Sequence, residues 1–299
     1  MSFDKHPNPL IGELFIDAIC DVGFKKIMSD DKILLDFLNT FLPDGSPKIV
    51  NAVLLPEERF DDNIEDKKVI FDVCARDNFG KTYIIEVQRK PQDFFVSRSF
   101  YYNSREVSTQ GKPGELKRYG ILPVYNISVL NFIPKEDWVT QYYDVFVFKS
   151  KYSDRELFNL TAQIFIILPL MKLSPEELQD NRAKWCYLLR NAVKLNKEMV
   201  RKLKWTENPV FEKIKKTLYV AGLTKEERTM IDRREQIEMD NLAYDDYLKR
   251  TGREEGRLEE LTAIVGNMLA KGMDIKIIAE CVNLPEDKVI EIKTSLEKQ

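Results

Sequence analysis

Two runs rich in β-branched and aromatic residues, Val69 to Ala75 and Thr82 to Gln88, flank the tetrapeptide Asp77-Asn78-Phe79-Gly80. No other stretch constrains the fold as tightly, because strand-forming runs joined by a glycine-ended turn are expected to pair as a hairpin. A three-residue loop, Asn78-Phe79-Gly80, with the glycine left-handed, centres the pairing on Phe79 and sets Asp72 opposite Glu86. Alternation of side chains then puts Ile70, Asp72, Cys74 and Arg76 on one face with Thr82, Ile84, Glu86 and Gln88. The other face carries Val69, Phe71, Val73, Ala75, Tyr83, Ile85 and Val87. It is wholly apolar and is expected to be core.

The first face poses an electrostatic problem. Directly opposed like charges destabilise a sheet by up to ~1 kcal/mol, and by more where water is excluded. A divalent cation between Asp72 and Glu86 reverses that sign. Mg²⁺ takes a few carboxylate oxygens beside waters and phosphate oxygens, and it can lower the pKa of a bound water without help from a histidine. The spacing equally allows a plain solvated face, and a one-residue bulge would carry one carboxylate across the sheet.

The flanking sequence suggests the architecture. Helical periodicity runs from Glu13 to Ile27 and again from Ile33 to Phe41 before Pro43-Asp44-Gly45. A strand is expected over Ile49 to Leu55, an aromatic-rich helix over Phe94 to Thr109, and strands over Ile121 to Phe132, Tyr143 to Lys149 and Leu160 to Leu168. From Pro175 onward the pattern is almost entirely helical. The result is an α/β chain, a mixed αβββαβ sheet followed by a mostly helical C-terminal region.

Composition removes several chemistries. The chain has 299 residues and one histidine, His6, so histidine relays and histidine-rich metal sites are excluded by count. Cys20, Cys74, Cys186 and Cys281 form no CxxC, and each has apolar neighbours, as expected of reduced, buried thiols in the cytoplasm. The apolar run Ile164 to Met171 is too short to span a bilayer, so no membrane association is expected. The net charge of −3 conceals segregation: residues 1–88 are acidic, whereas 89–118 and 181–220 are basic. Such islands suit local anion contacts or, more plainly, solvated helix faces.

Phe71-Asp72-Val73 followed by Ile85-Glu86-Val87-Gln88 resembles the PD-(D/E)XK nuclease motif in its E-x-Q form. More narrowly, the chain resembles the Rpn-like recombination-promoting nucleases of bacteria, PD-(D/E)XK nuclease family transposases. Asp21-Val22-Gly23-Phe24-Lys25-Lys26-Ile27, Leu34 to Asn39, Tyr119 to Val124, Gly252 to Arg257 and Met268 to Asp274 carry the resemblance through nearly the whole chain. It implies a restriction-endonuclease-like core over 1–172, a helical region over 173–299, and Mg²⁺-dependent cleavage of DNA, with Mn²⁺ as a substitute. Asp72 and Glu86 would be metal ligands and, with Gln88, catalytic. Gln88 stands where many superfamily members have lysine; it can orient water or phosphate but supplies no positive charge.

Other candidates are accessory. Asp21 and Lys25 lie on the first helix; Asp17 reads as part of an acidic solvent face with Glu13. Arg98, Tyr102 and Arg105 share a helix face by i,i+4 and i,i+3 spacing and are DNA-binding candidates. Trp185 and Trp205 read as packing anchors. Ile275 to Cys281 and Pro285 to Leu296 resemble a helix pair whose acidic second helix suits oligomerisation better than a DNA groove. A catalytically inactive DNA-binding or scaffolding protein on the same fold is the alternative function.

Overall fold

The computed structural model describes residues 8–56, 58–59, 69–110, 120–135, 139–153, 155–156 and 160–296; His6 and most of the polar excursion before the hairpin lie outside them. The elements, in order, are α1 (Asp21–Met28), α2 (Asp31–Phe41), β1 (Ala52–Leu55), β2 (Glu58–Arg59), β3 (Val69–Ile70), β4 (Val73–Asp77), β5 (Thr82–Gln88), α3 (Phe95–Ser108), β6 (Val124–Leu130), β7 (Tyr143–Val147), β8 (Thr161–Ile167), α4 (Asn181–Asn191), α5 (Lys197–Lys202), α6 (Pro209–Leu218), α7 (Lys225–Ala270), α8 (Ile275–Val282) and α9 (Glu286–Leu296).

Six strands form one mixed sheet in the order β1-β4-β5-β6-β8-β7. β1, β4 and β5 are an antiparallel meander; β5, β6 and β8 run parallel; β7 closes the far edge antiparallel to β8. With α2 before it and α3 as the crossover between β5 and β6, this is the expected αβββαβ core.

The hairpin keeps the register expected from its turn: Val73 pairs with Ile85 and Arg76 with Thr82. Gly80 has φ +83°, the left-handed conformation the three-residue loop requires. Asp77 organises the loop. Its Oδ1 accepts the N–H groups of Phe79 and Lys81 at 2.8 and 2.9 Å, and its Oδ2 accepts the Tyr83 hydroxyl at 2.8 Å.

Both sheet faces are covered. Val73, Ala75, Tyr83 and Ile85 join Tyr125, Ile127, Ile164 and Ile166 in the main core, beneath Phe24, Phe37, Trp185 and Phe211 from α1, α2, α4 and α6. The expected all-core face needs one correction. Phe71 lies in a second cluster with Cys74 and Ile84, on the opposite side. The strand bends at Asp72 between β3 and β4, and the bend breaks the alternation. The face bearing Asp72 and Glu86 is not simply solvated either, because α3 packs over it.

The N-terminal expectation also changes. Residues 8–20 are not helical. Cys20 caps α1 by accepting the Gly23 N–H at 3.3 Å, and a Cβ on Gly23 would meet the Asp17 carbonyl oxygen at 2.2 Å. That close approach explains the glycine. Asp17 therefore shares no helix face with Glu13. It is buried, and its Oδ2 lies 3.3 Å from an Arg89 guanidinium nitrogen.

Contacts divide the chain into two compact units, Met1–Asp232 and Arg233–Gln299. The expected division at 172/173 falls inside the first, because Trp185, Leu188, Phe211 and Ile214 belong to the main core. The second unit holds most of α7, with α8 and α9 packed through Val265, Ile278 and Val289. Asn283, left-handed at φ 52°, ends α8 and turns the chain into α9, so the expected helix pair is present. Cys20, Cys74 and Cys186 are buried, whereas Cys281 is exposed, contrary to expectation. No helix among the described residues is long and apolar enough to cross a membrane.

Candidate active site

Glu86 and Gln88 stand two apart on β5, so both project toward α3. The bend at Asp72 removes this residue from the ladder, and side chains take over the hydrogen bonding. The Val87 N–H donates to Asp72 Oδ2 at 2.7 Å, and the Asp72 backbone N–H donates to the Glu86 carboxylate. This exchange brings the two carboxylates together where the register placed them.

Glu86 is 4% exposed, and its Oε1 has no hydrogen-bond partner among the described residues. Burial pushes its carboxyl up to about 8; the neighbouring Asp72 charge adds to the rise, and Arg98 opposes it. A buried, partnerless carboxylate oxygen beside a second carboxylate is the electrostatic signature that a bound cation would relieve. The oxygen donors present therefore fit a hard divalent ion. Among the described residues no group of three or more His, Cys, Asp and Glu side chains converges, so the pair would share such an ion with waters and substrate oxygens.

Arg98 and Tyr102 of α3 border the pair. The Arg98 guanidinium lies 5.5 Å from the centre of the Phe95 ring and 5.8 Å from that of Tyr102, and its Nη1 donates to Gln92 Oε1. Tyr102 packs edge-on against Phe71 at 5.5 Å. Burial raises its hydroxyl pKa, while Arg98 lowers it and the Glu86 and Asp72 charges raise it further. Arg105 is half-buried further along the same helix. Gln88 is half-exposed at the end of β5 and pairs with Leu130.

Asp21 and Lys25 both lie on α1, where they pair with each other at 3.3 Å. The Arg89–Asp17 pair ties the residue after β5 to the segment that leads into α1. Asp17 lies four residues before Asp21, but α1 begins only at Asp21, so helical spacing does not reveal the contact of Asp17 with Arg89. The basic segment 181–220 is largely engaged within the fold. Arg182 meets Asp44 at 2.9 Å and lies over Tyr143, Lys213 pairs with Asp30, and Lys215 and Lys216 share Glu212.

A buried polar seam beneath α3 was not anticipated. Asn103 donates to the Val124 carbonyl at 3.0 Å and accepts from Thr161 at 2.9 Å, and Ser128 donates to Asn126 at 2.7 Å. Polar residues at alternate positions of β6 and β8 were its signal.

A family model described as PD-(D/E)XK nuclease family transposase matches residues 18–247. Searches of curated proteins and of solved structures return no match. The matched span includes the whole mixed sheet, the hairpin and α3. The chain belongs to the PD-(D/E)XK nuclease family transposases.

Proposed function

We propose that the protein is a metal-dependent endonuclease that hydrolyses DNA phosphodiester bonds in recombination or in the movement of mobile elements. The observation that carries this reading is the partnerless buried oxygen of Glu86 beside Asp72. Asp72 and Glu86 would hold Mg²⁺, or Mn²⁺ in its place. Such an ion, when bound, supplies a polarised phosphate and a water of lowered pKa.

The chain's own residues do the remaining work. The Val87 N–H orients the Asp72 carboxylate, and the Asp72 N–H orients that of Glu86. Gln88, on the same face, presents an amide that can orient a water or accept a place beside a phosphate oxygen. The positive charge that glutamine lacks comes from Arg98, already close enough to act on Glu86. Tyr102 and Arg105 extend this face of α3 toward the DNA backbone. Arg98, held by Gln92 and beside two rings, can exchange that amide for phosphate.

The test is nicking of supercoiled plasmid with Mg²⁺. Wild-type protein is expected to nick. Asp72→Ala and Glu86→Gln are expected to fall by more than the ~100-fold that follows loss of an outer-sphere partner. Equal nicking by wild type and variants, or none by either, sinks the reading, and DNA binding without cleavage would favour a scaffolding protein. Four free cysteines suit a reducing cytoplasm. Apolar Met230, Ile237, Tyr244 and Leu258 recur along α7 at multiples of seven residues, which suits self-association of the C-terminal helices.

A further inference from the structure

Just past the C-terminal ends of the parallel strands β5 and β6 lies a recess of about 150 Å³. In open sheets with parallel strands, this is the end at which ligands bind. Phe95, Val96, Phe132 and Ile133 form its apolar walls, and the exposed Gln92 completes the lining. Phe132 follows Ser128, the register partner of Glu86, by four residues, a span of at most roughly 13 Å at strand rise. The recess is therefore separate from the carboxylate pair but within reach of a ligand that occupies both.

Arg98 joins the two. Its guanidinium lies 5.5 Å from the centre of the Phe95 ring, a wall of the recess, and 5.8 Å from that of Tyr102, which borders the pair. Its Nη1 donates to Gln92 Oε1, and its Nε is buried without a hydrogen-bond partner among the described residues. A phosphate that draws Arg98 away from Gln92 leaves the Gln92 amide, donor and acceptor together, open at the recess.

The recess suits a flat, uncharged ring. A cavity of ~150 Å³ holds a benzene ring. Phe95 and Phe132 meet edge to face with centroids 6.4 Å apart, so the walls are aromatic on two sides. Aromatic walls hold a nucleobase by its π-face, and a glutamine amide bonds a base edge. Charge does not draw a phosphate into this recess. Asp93 and Lys135 oppose each other on its lining, and Glu136 and Asp137 follow in the sequence. The phosphate falls to Arg98, and the uncharged part of the nucleotide to the recess.

A base in a duplex is stacked and paired and cannot enter such a recess without first being turned out, which costs least where the base is already unpaired. We propose that the recess receives the base of an unpaired nucleotide next to the phosphate that Arg98 engages, so that the protein selects DNA with an unpaired base over perfect duplex. The proposal rests on the nuclease reading for DNA as the ligand.

The test is fluorescence anisotropy on the full-length protein in EDTA, where no metal-dependent cutting occurs. The probes are three labelled duplexes of one sequence: fully paired, with one extra unpaired thymidine, and with one extra abasic nucleotide at the same place. The two bulged duplexes differ only in the base. The thymidine bulge is expected to bind roughly tenfold more tightly than either of the others. Phe132→Ala and Ile133→Ala should each bring it level with the abasic bulge. Ile133 is 51% exposed, so its variant keeps the test sound if Phe132→Ala misfolds. With Mg²⁺, wild-type protein should cut beside the unpaired thymidine. Preference in EDTA without cutting in Mg²⁺ would uphold the recess and overturn the nuclease reading alone. Cutting of all three duplexes at equal rates would overturn the recess alone. Equal affinity for the two bulges, no binding at all, or a preference that survives Ile133→Ala would also overturn the proposal.

Discussion

Glu86 is a residue whose charge the fold opposes. Its carboxyl is raised by burial and by Asp72, so the native state holds its proton more tightly than the unfolded chain does. Between the ordinary carboxylate pKa and about 8, the native protein binds more protons than the unfolded one, and stability falls as pH rises through that window. Metal-free wild-type protein is therefore expected to melt at a lower temperature at pH 9 than at pH 6. Glu86→Gln, which carries no charge, should flatten that dependence, and added Mg²⁺ should restore stability to wild type alone. Thermal melts across pH with and without metal decide it; an unchanged slope in Glu86→Gln would assign the pH dependence to other groups. This residue pair was legible in advance because strand alternation and a glycine turn place positions by arithmetic. Asp17 was not, because its partner Arg89 is distant in sequence and nothing local announces the contact.

At the level of elements, the hairpin depends on Asp77 as much as on Gly80. Asp77→Ala removes acceptors for two backbone N–H groups and the Tyr83 hydroxyl. A loss of about 3 kcal/mol is expected from urea unfolding. Gly80→Ala meets a left-handed backbone and the Leu122 side chain at 2.8 Å; the conformational penalty alone is about 1–2 kcal/mol. Because this turn sets the register that brings Glu86 to Asp72, both variants should also weaken nicking in proportion to lost fold. α3 shows what periodicity misses. Its buried positions are Phe95, Ser99, Asn103 and Glu106, whereas Phe100 and Tyr101 are exposed. Its sequence marks it only as aromatic-rich and does not show which rings are buried. It lays a polar stripe on a sheet whose own alternate positions, Asn126, Ser128, Thr161 and Gln163, are polar, and the Asn103 bonds to the Val124 carbonyl and to Thr161 stand beside the apolar contacts of Phe95 and Tyr102.

For the whole molecule, the compact unit ending at Asp232 contains every candidate site residue. A chain truncated after Asp232 is expected to fold and to keep metal-dependent nicking, while losing any self-association that the C-terminal helices provide. Light scattering and the plasmid assay on the truncated and full chains check both halves. Loss of folding in the truncated chain would show that α7 is needed intact. The segment 173–232 shares the helical pattern of the tail, so its sequence alone does not mark it as part of the sheet's core. Helical pattern is local, whereas the assignment of Trp185 and Phe211 to the sheet's core depends on which face each helix buries.

The sequence by itself determined the hairpin, its register, the pairing of Asp72 with Glu86 and the αβββαβ order. These follow from short-range rules of turn geometry, alternation and periodicity, which act within a few residues. Only the tertiary structure decided that the strand bends at Asp72 and turns Phe71 to the other face. It also decided that α3 covers the carboxylates and raises the Glu86 pKa, and that Phe95 and Phe132 wall a recess past the ends of β5 and β6. Those features depend on which surfaces exclude water from one another, and that is settled by contacts between residues far apart in the chain.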